Sequence, residues 1–227
     1  MKRTGKTAII LGATGLVGGI LLELLVKDER YKKIVLFSRR PVEIKSQKIE
    51  EYLCDLLELD QQQEHFMADE VFCCIGSTNA KTPDKELYRR IDYGIPVATA
   101  KLCIQNNINT LIIVSALGAD ANSSIFYNRI KGEMEDEVLT LEIPKTHMVQ
   151  PSMIGGNRKE KRPREYFFKK MMQVLSFLFQ GSLKKYRVIH PGTIAKSMVW
   201  LANNDFEKNR ILSDELKQLP QYEQSRN

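Results

Sequence analysis

What most constrains the fold of this 227-residue chain is a series of short, unbroken apolar runs spaced along its first two thirds, at residues 7–11, 34–37, 71–75, 110–114 and 147–150. A strand with one wet face alternates apolar and polar residues, whereas a strand covered on both faces does not, and parallel sheets are built of the second kind. The intervals hold helix-compatible stretches at 16–26, 92–106 and 124–141. Asp92 is placed to cap the middle one, with Pro96 in its first turn, where the missing N–H is not needed. Strand and helix thus alternate from residue 7 to residue 150, which predicts a doubly wound, Rossmann-like α/β fold. Its central sheet is parallel, with helices on both faces.

Two stretches are less regular. Residues 49–54 are compatible with either a short strand or a helix. After Gln150 the alternation loosens through Gly155-Gly156-Asn157, an apolar segment at 167–179, and a last helix at 193–202 that follows His190-Pro191-Gly192. No repeat or linker divides the chain. One domain is expected over 1–215, with 152–190 as a small C-terminal substrate or lid region and 216–227 as a polar tail.

Composition excludes several classes. Hydrophobic residues make up 43% and charged residues 27%, enough for a core and too ordered a pattern for a disordered chain. No apolar run approaches the roughly 20 residues of a membrane span. The net charge of +6 is concentrated at residues 158–170, where seven cations face two acids. Without a spread basic face or a reading motif, this is a solvated loop or phosphate-facing lid and not a nucleic-acid site. The start of the chain is basic but lacks a signal-peptide core. Cys54, Cys73, Cys74 and Cys103 form no C-x-x-C, so neither a disulfide framework nor a zinc site is indicated. A reducing compartment, the cytoplasm, is expected. The three histidines have no metal spacing and read as structural.

The first apolar run ends in Gly12-Ala13-Thr14-Gly15-Leu16-Val17-Gly18, leading straight into a helix. Glycines there allow a tight turn, close approach of backbone N–H groups to a pyrophosphate, and a helix packed near the strand. The helix N-terminus adds partial positive charge. The second run ends in Phe37-Ser38-Arg39-Arg40, where an NAD site would carry an acid for the ribose hydroxyl. A serine and two guanidiniums suit a 2′-phosphate instead, so NADP(H) is expected over NAD(H).

Tyr-x-x-x-Lys places a phenol and an ammonium one helical turn apart, so that the cation favours phenolate. The pattern occurs twice, at Tyr127–Lys131 and Tyr166–Lys170. Only the first follows a serine, Ser115, at the carboxyl end of a predicted strand, the edge where ligands bind in this architecture. Tyr166–Lys170 lies inside the basic stretch and is read as a decoy.

Together the Gly12–Gly18 turn, Ser115 and Tyr127-Asn128-Arg129-Ile130-Lys131 resemble the short-chain dehydrogenase/reductase superfamily. The closer resemblance is to its atypical branch, related to the Tat-interacting oxidoreductase. It rests on Phe72-Cys73-Cys74-Ile75-Gly76-Ser77-Thr78, Arg90-Ile91-Asp92-Tyr93, residues 115–133 and Arg162-Pro163-Arg164-Glu165. The resemblance implies that Gly12, Thr14, Gly15, Leu16, Val17 and Gly18 hold the pyrophosphate and that Arg39 and Arg40 take the adenosine phosphate. It places Asp55 and Leu56 by the adenine, Ile75 and Gly76 along the cofactor, Ile154 near the nicotinamide and Arg162 over it. Ser115, Tyr127 and Lys131 form the implied catalytic set, with Tyr127 and Lys131 also touching the cofactor. Two positions depart from the family pattern: Pro151-Ser152 replaces a common Pro-Gly, and Ala116 a common second serine.

The chain is therefore expected to be an NADP(H)-dependent oxidoreductase acting on a small carbonyl or alcohol substrate, as a monomer or homodimer. A non-catalytic NADP(H)-binding regulator and a nucleotide-sugar epimerase or dehydratase remain as alternatives. The apolar 167–179 helix has to be covered, as core or pocket wall, at a dimer contact or on a membrane surface.

Overall fold

The computed structural model describes residues 5–77, 82–155 and 187–224. Seven strands form one parallel sheet in the order β3-β2-β1-β4-β5-β6-β7. These are β1 (Lys6–Leu11), β2 (Tyr31–Ser38), β3 (Ile49–Leu53), β4 (Glu70–Cys73), β5 (Thr110–Val114), β6 (Lys145–Gln150) and β7 (Arg210–Leu212). The helices are α1 (Leu16–Lys27), α2 (Lys85–Arg89), α3 (Ile95–Gln105), α4 (Phe126–Thr140), α5 (Pro191–Asn203), α6 (Ser213–Leu216) and α7 (Leu219–Gln224). Among the described residues no helix is long and apolar enough to cross a membrane.

The unbroken apolar runs have the predicted cause. Successive side chains of one strand enter opposite cores. Ala8 and Ile10 of β1 pack with Leu21, Leu25, Ile194 and Met198 from α1 and α5, while Ile9 and Leu11 pack with Leu102, Met134 and Val138 from α3 and α4. The strand order reverses direction at β1 and β4, which are hydrogen-bonded neighbours. The crevice between their carboxyl ends is where an open sheet of this kind takes its ligands.

Three expectations change. The ambiguous stretch is an edge strand: the open side of β2 offers a ladder, pairing Ile34 with Ile49 and Phe37 with Tyr52. Asp92 caps nothing. The helical run begins earlier, at Lys85, where Asp84 caps α2 by accepting from the Leu87 amide at 2.7 Å, and Asp92 lies inside a π-helical turn spanning Arg90–Gly94. The polar tail is anchored beyond residue 216, since Leu216 and Leu219, the first residue of α7, are both buried in the core.

Candidate active site

Gly12 leaves β1 in the left-handed region, φ 86°, and a Cβ on it would lie 2.9 Å from the Cys74 carbonyl oxygen. The exits of β1 and β4 therefore cross at a distance only glycine permits. A Cβ on Gly18 would lie 2.2 Å from the Gly12 carbonyl, so α1 rests directly on the end of β1. Gly15 stands at the N-cap with no capping side chain, its amide donating to the Gly12 carbonyl at 2.9 Å. Thr14 and Gly15 are exposed, Leu16 is half-buried, and Val17 and Gly18 are buried. An uncapped helix N-terminus opening onto the crevice is a ready site for an anion.

Farther out along the same edge, Arg39 and Arg40 are exposed just past β2. The expected contribution of Ser38 changes: it is buried, and its hydroxyl donates to the Arg40 carbonyl at 2.7 Å, so it shapes the turn that presents the arginines. Past β3, the Asp55 carboxylate accepts from the Leu57 amide at 3.0 Å and Leu56 is buried. Ile75 and Gly76 follow β4, half-buried and exposed respectively. Ile154 pairs with Ile189 beyond β6. Arg162, Tyr166, Lys170, the 167–179 segment and most of the 152–190 region lie outside the described residues.

The proton-handling groups gather around β4, β5 and α4. Ser115 follows β5 directly, its amide donating to the Val149 carbonyl at 2.8 Å, while its buried hydroxyl has no hydrogen-bond partner among the described residues. The chain after it is pinned at both sides: Leu117 donates to the Pro151 carbonyl at 3.0 Å, and the loop lies against α4 so closely that a Cβ on Gly132 would sit 2.1 Å from the Ala121 nitrogen. Tyr127, in the first turn of α4, is 37% exposed, with its ring edge-on to Tyr88 at 6.3 Å. One turn later Lys131 is only 2% exposed. Its ammonium lies 3.0 Å from an Asp92 carboxylate oxygen and 3.7 Å from where a Cβ on Gly76 would stand. Burial pulls the Lys131 pKa down, but the charges of Asp92 and Tyr127 outweigh it and hold the ammonium above the usual lysine range.

Asp92 is the residue that sequence reasoning misplaced. It is 0% exposed, and besides Lys131 it accepts from the Ser77 amide at 2.7 Å. The visible signal was an acid set among apolar residues, which reads equally well as a cap. Tyr88, which the sequence did not single out, is buried beside it; burial and the Asp92 charge push its phenol well above the ordinary range. Cys73 and Cys74 are buried or half-buried, and burial raises both thiols, Cys73 to about 11.

No family model matches the chain. Protein FMP52, mitochondrial, from Debaryomyces hansenii is 31% identical over 163 residues, covering 69% of this chain and 70% of that protein. Protein HTATIP2 from Rattus norvegicus is 28% identical over 173 residues, covering 74% and 71%. The chain belongs to the atypical short-chain dehydrogenase/reductases. The Rossmann-like fold is also seen in solved structures of low sequence identity. The UDP-glucuronic acid 4-epimerase from Bacillus cereus in complex with NAD superposes with a TM-score of 0.66 at 14% identity, covering 92% of this chain and 78% of that one. The expected cytoplasmic location does not stand, because several fungal relatives in the family are named as mitochondrial proteins. Cysteine usage separates oxidising from reducing compartments but not one reducing compartment from another.

Proposed function

We propose that the chain binds NADP(H) along the carboxyl edge of the sheet and reduces a small carbonyl substrate or oxidises the corresponding alcohol. The observation that carries this reading is a buried Lys131 ammonium held by Asp92 close to the Gly76 backbone at the end of β4, together with a buried Ser115 hydroxyl at the end of β5 that has no hydrogen-bond partner among the described residues. The residues present fit the cofactor: an uncapped α1 N-terminus for the pyrophosphate, and exposed Arg39 and Arg40 for a 2′-phosphate. The Bacillus cereus epimerase of similar fold was solved in complex with NAD, which supports a nicotinamide dinucleotide as the ligand class.

When bound, the nicotinamide supplies or accepts the hydride. In the reductive direction Ser115 donates a hydrogen bond to the substrate carbonyl and polarises it. Tyr127 passes its phenolic proton to the same oxygen, giving the alcohol and leaving a phenolate stabilised by the Lys131 ammonium. The exposure of Tyr127 lets solvent return the proton.

Titration with NADPH and NADH, followed by nucleotide fluorescence, tests the cofactor. NADPH is expected to bind more tightly, and Arg39→Ala with Arg40→Ala to cost it about tenfold or more while leaving NADH unchanged. Equal binding of the two nucleotides overturns the preference. Across a panel of aldehydes, ketones and quinones, Tyr127→Phe is expected to lower turnover by about 10²–10⁴-fold. Tight NADPH binding with no turnover of any carbonyl by the wild type would favour the non-catalytic regulator.

A further inference from the structure

The reaction outlined above uses Ser115, Tyr127 and Lys131 and leaves the buried carboxylate in contact with Lys131 without a task. Asp92 is fully enclosed, in a π-helical turn where an ordinary α-helix would carry its side chain elsewhere. Its two oxygens go to different parts of the site. One accepts from the Ser77 amide, in the loop that carries Ile75 and Gly76 from β4; the other meets the Lys131 ammonium on α4. A single carboxylate thus ties the expected cofactor loop to the proton-transfer helix.

We propose that Asp92 is the positioning residue of this site: its carboxylate fixes the Lys131 ammonium against the loop after β4 and is the counter-charge in contact with it. The inference rests on reading Lys131 as the partner of Tyr127. The groups facing Lys131 are Asp92 from the π turn, Tyr127 from its own helix and Cys73 from the end of β4. Tyr88 of α2 faces Asp92 from the other side, with a phenol kept neutral by burial and by that same carboxylate. Asp92 is the counter-charge in contact, so a buried Lys131 without it loses its defence against desolvation.

The test uses neither substrate nor turnover. In protein labelled with 13C-lysine, the Lys131 Cε shift, assigned with Lys131→Arg, is followed against pH in the wild type and in Asp92→Asn. Asparagine keeps an acceptor for the Ser77 amide and removes the charge. The midpoint is expected to fall by at least one pH unit in Asp92→Asn while Ser77 keeps its protection from hydrogen exchange. An unchanged midpoint overturns the proposal. If that variant does not fold, Lys131→Met is compared with Lys131→Met/Asp92→Asn at pH 7. Neutralising the stranded carboxylate should raise the folding constant at least tenfold, and a fall overturns the proposal. NADPH binding to the wild type is measured alongside, so a failure of the cofactor reading is seen separately from the Lys131 result.

Discussion

A hydroxyl with nothing to bond to is the most informative single group in the site. A buried, unsatisfied Ser115 costs folding free energy, about 1–3 kcal/mol by the usual desolvation penalty. Ser115→Ala is therefore expected to leave stability unchanged or raise it by about 1 kcal/mol, and to lower turnover by about 10²-fold. Thermal unfolding and kinetics on the same preparations check the two halves, and a clear loss of stability would mean that the hydroxyl has a structural partner. The serine was legible in the sequence because it leaves a strand end. Asp92 was not, since an acid before a helix reads as a cap until the third dimension shows a lysine 39 positions later in contact with it.

At the scale of elements, the question is what holds α4, with Tyr127 and Lys131 on it, against the sheet. Part of the answer is Glu135, one turn after Lys131. It is fully buried, accepts from the Gln150 amide of β6 at 2.9 and 3.0 Å, and takes the Arg210 guanidinium of β7 at 2.7 Å. Glu135→Ala strands the buried Gln150 amide, although water can reach the half-exposed Arg210. The expected loss is about 2–3 kcal/mol in urea unfolding, with Glu135→Gln losing less because it keeps an acceptor. Equal losses would mean that shape, not hydrogen bonding, is what the site requires. Helix α4 itself was readable from composition, but its seating on β6 and β7 was not, because a glutamate in a helix more often faces water.

Across the whole molecule, stability depends on pH through buried groups far from the crevice. Glu70, at the amino end of β4, accepts hydrogen bonds from Tyr31 and Lys6, yet burial outweighs them and raises its pKa above 4.5. The folded state thus holds that proton longer than the unfolded chain, and the contribution is full below pH 4.5 and lost as pH rises through the folded value. His147 runs the other way. Burial, then the Lys145 charge, lowers it below 6.5 against the opposing hydrogen bond with the Lys208 carbonyl. Its contribution is present above pH 6.5 and lost as pH falls through the folded value. Relative to wild type, the melting temperature of Glu70→Gln should therefore rise from pH 4 to 7, and that of His147→Gln from pH 7.5 to 5. Parallel curves would show that neither group titrates differently on folding. The sequence by itself determined the parallel sheet, the glycine turn and the order of the main helices, because burial on both faces and a close strand–helix crossing each leave local marks in residue type. Only the tertiary structure decided that residues 49–53 pair as an edge strand and that Asp92, Glu70 and Glu135 go inside, because a ladder partner or a counter-charge comes from elsewhere in the chain and leaves no mark on the residues beside them.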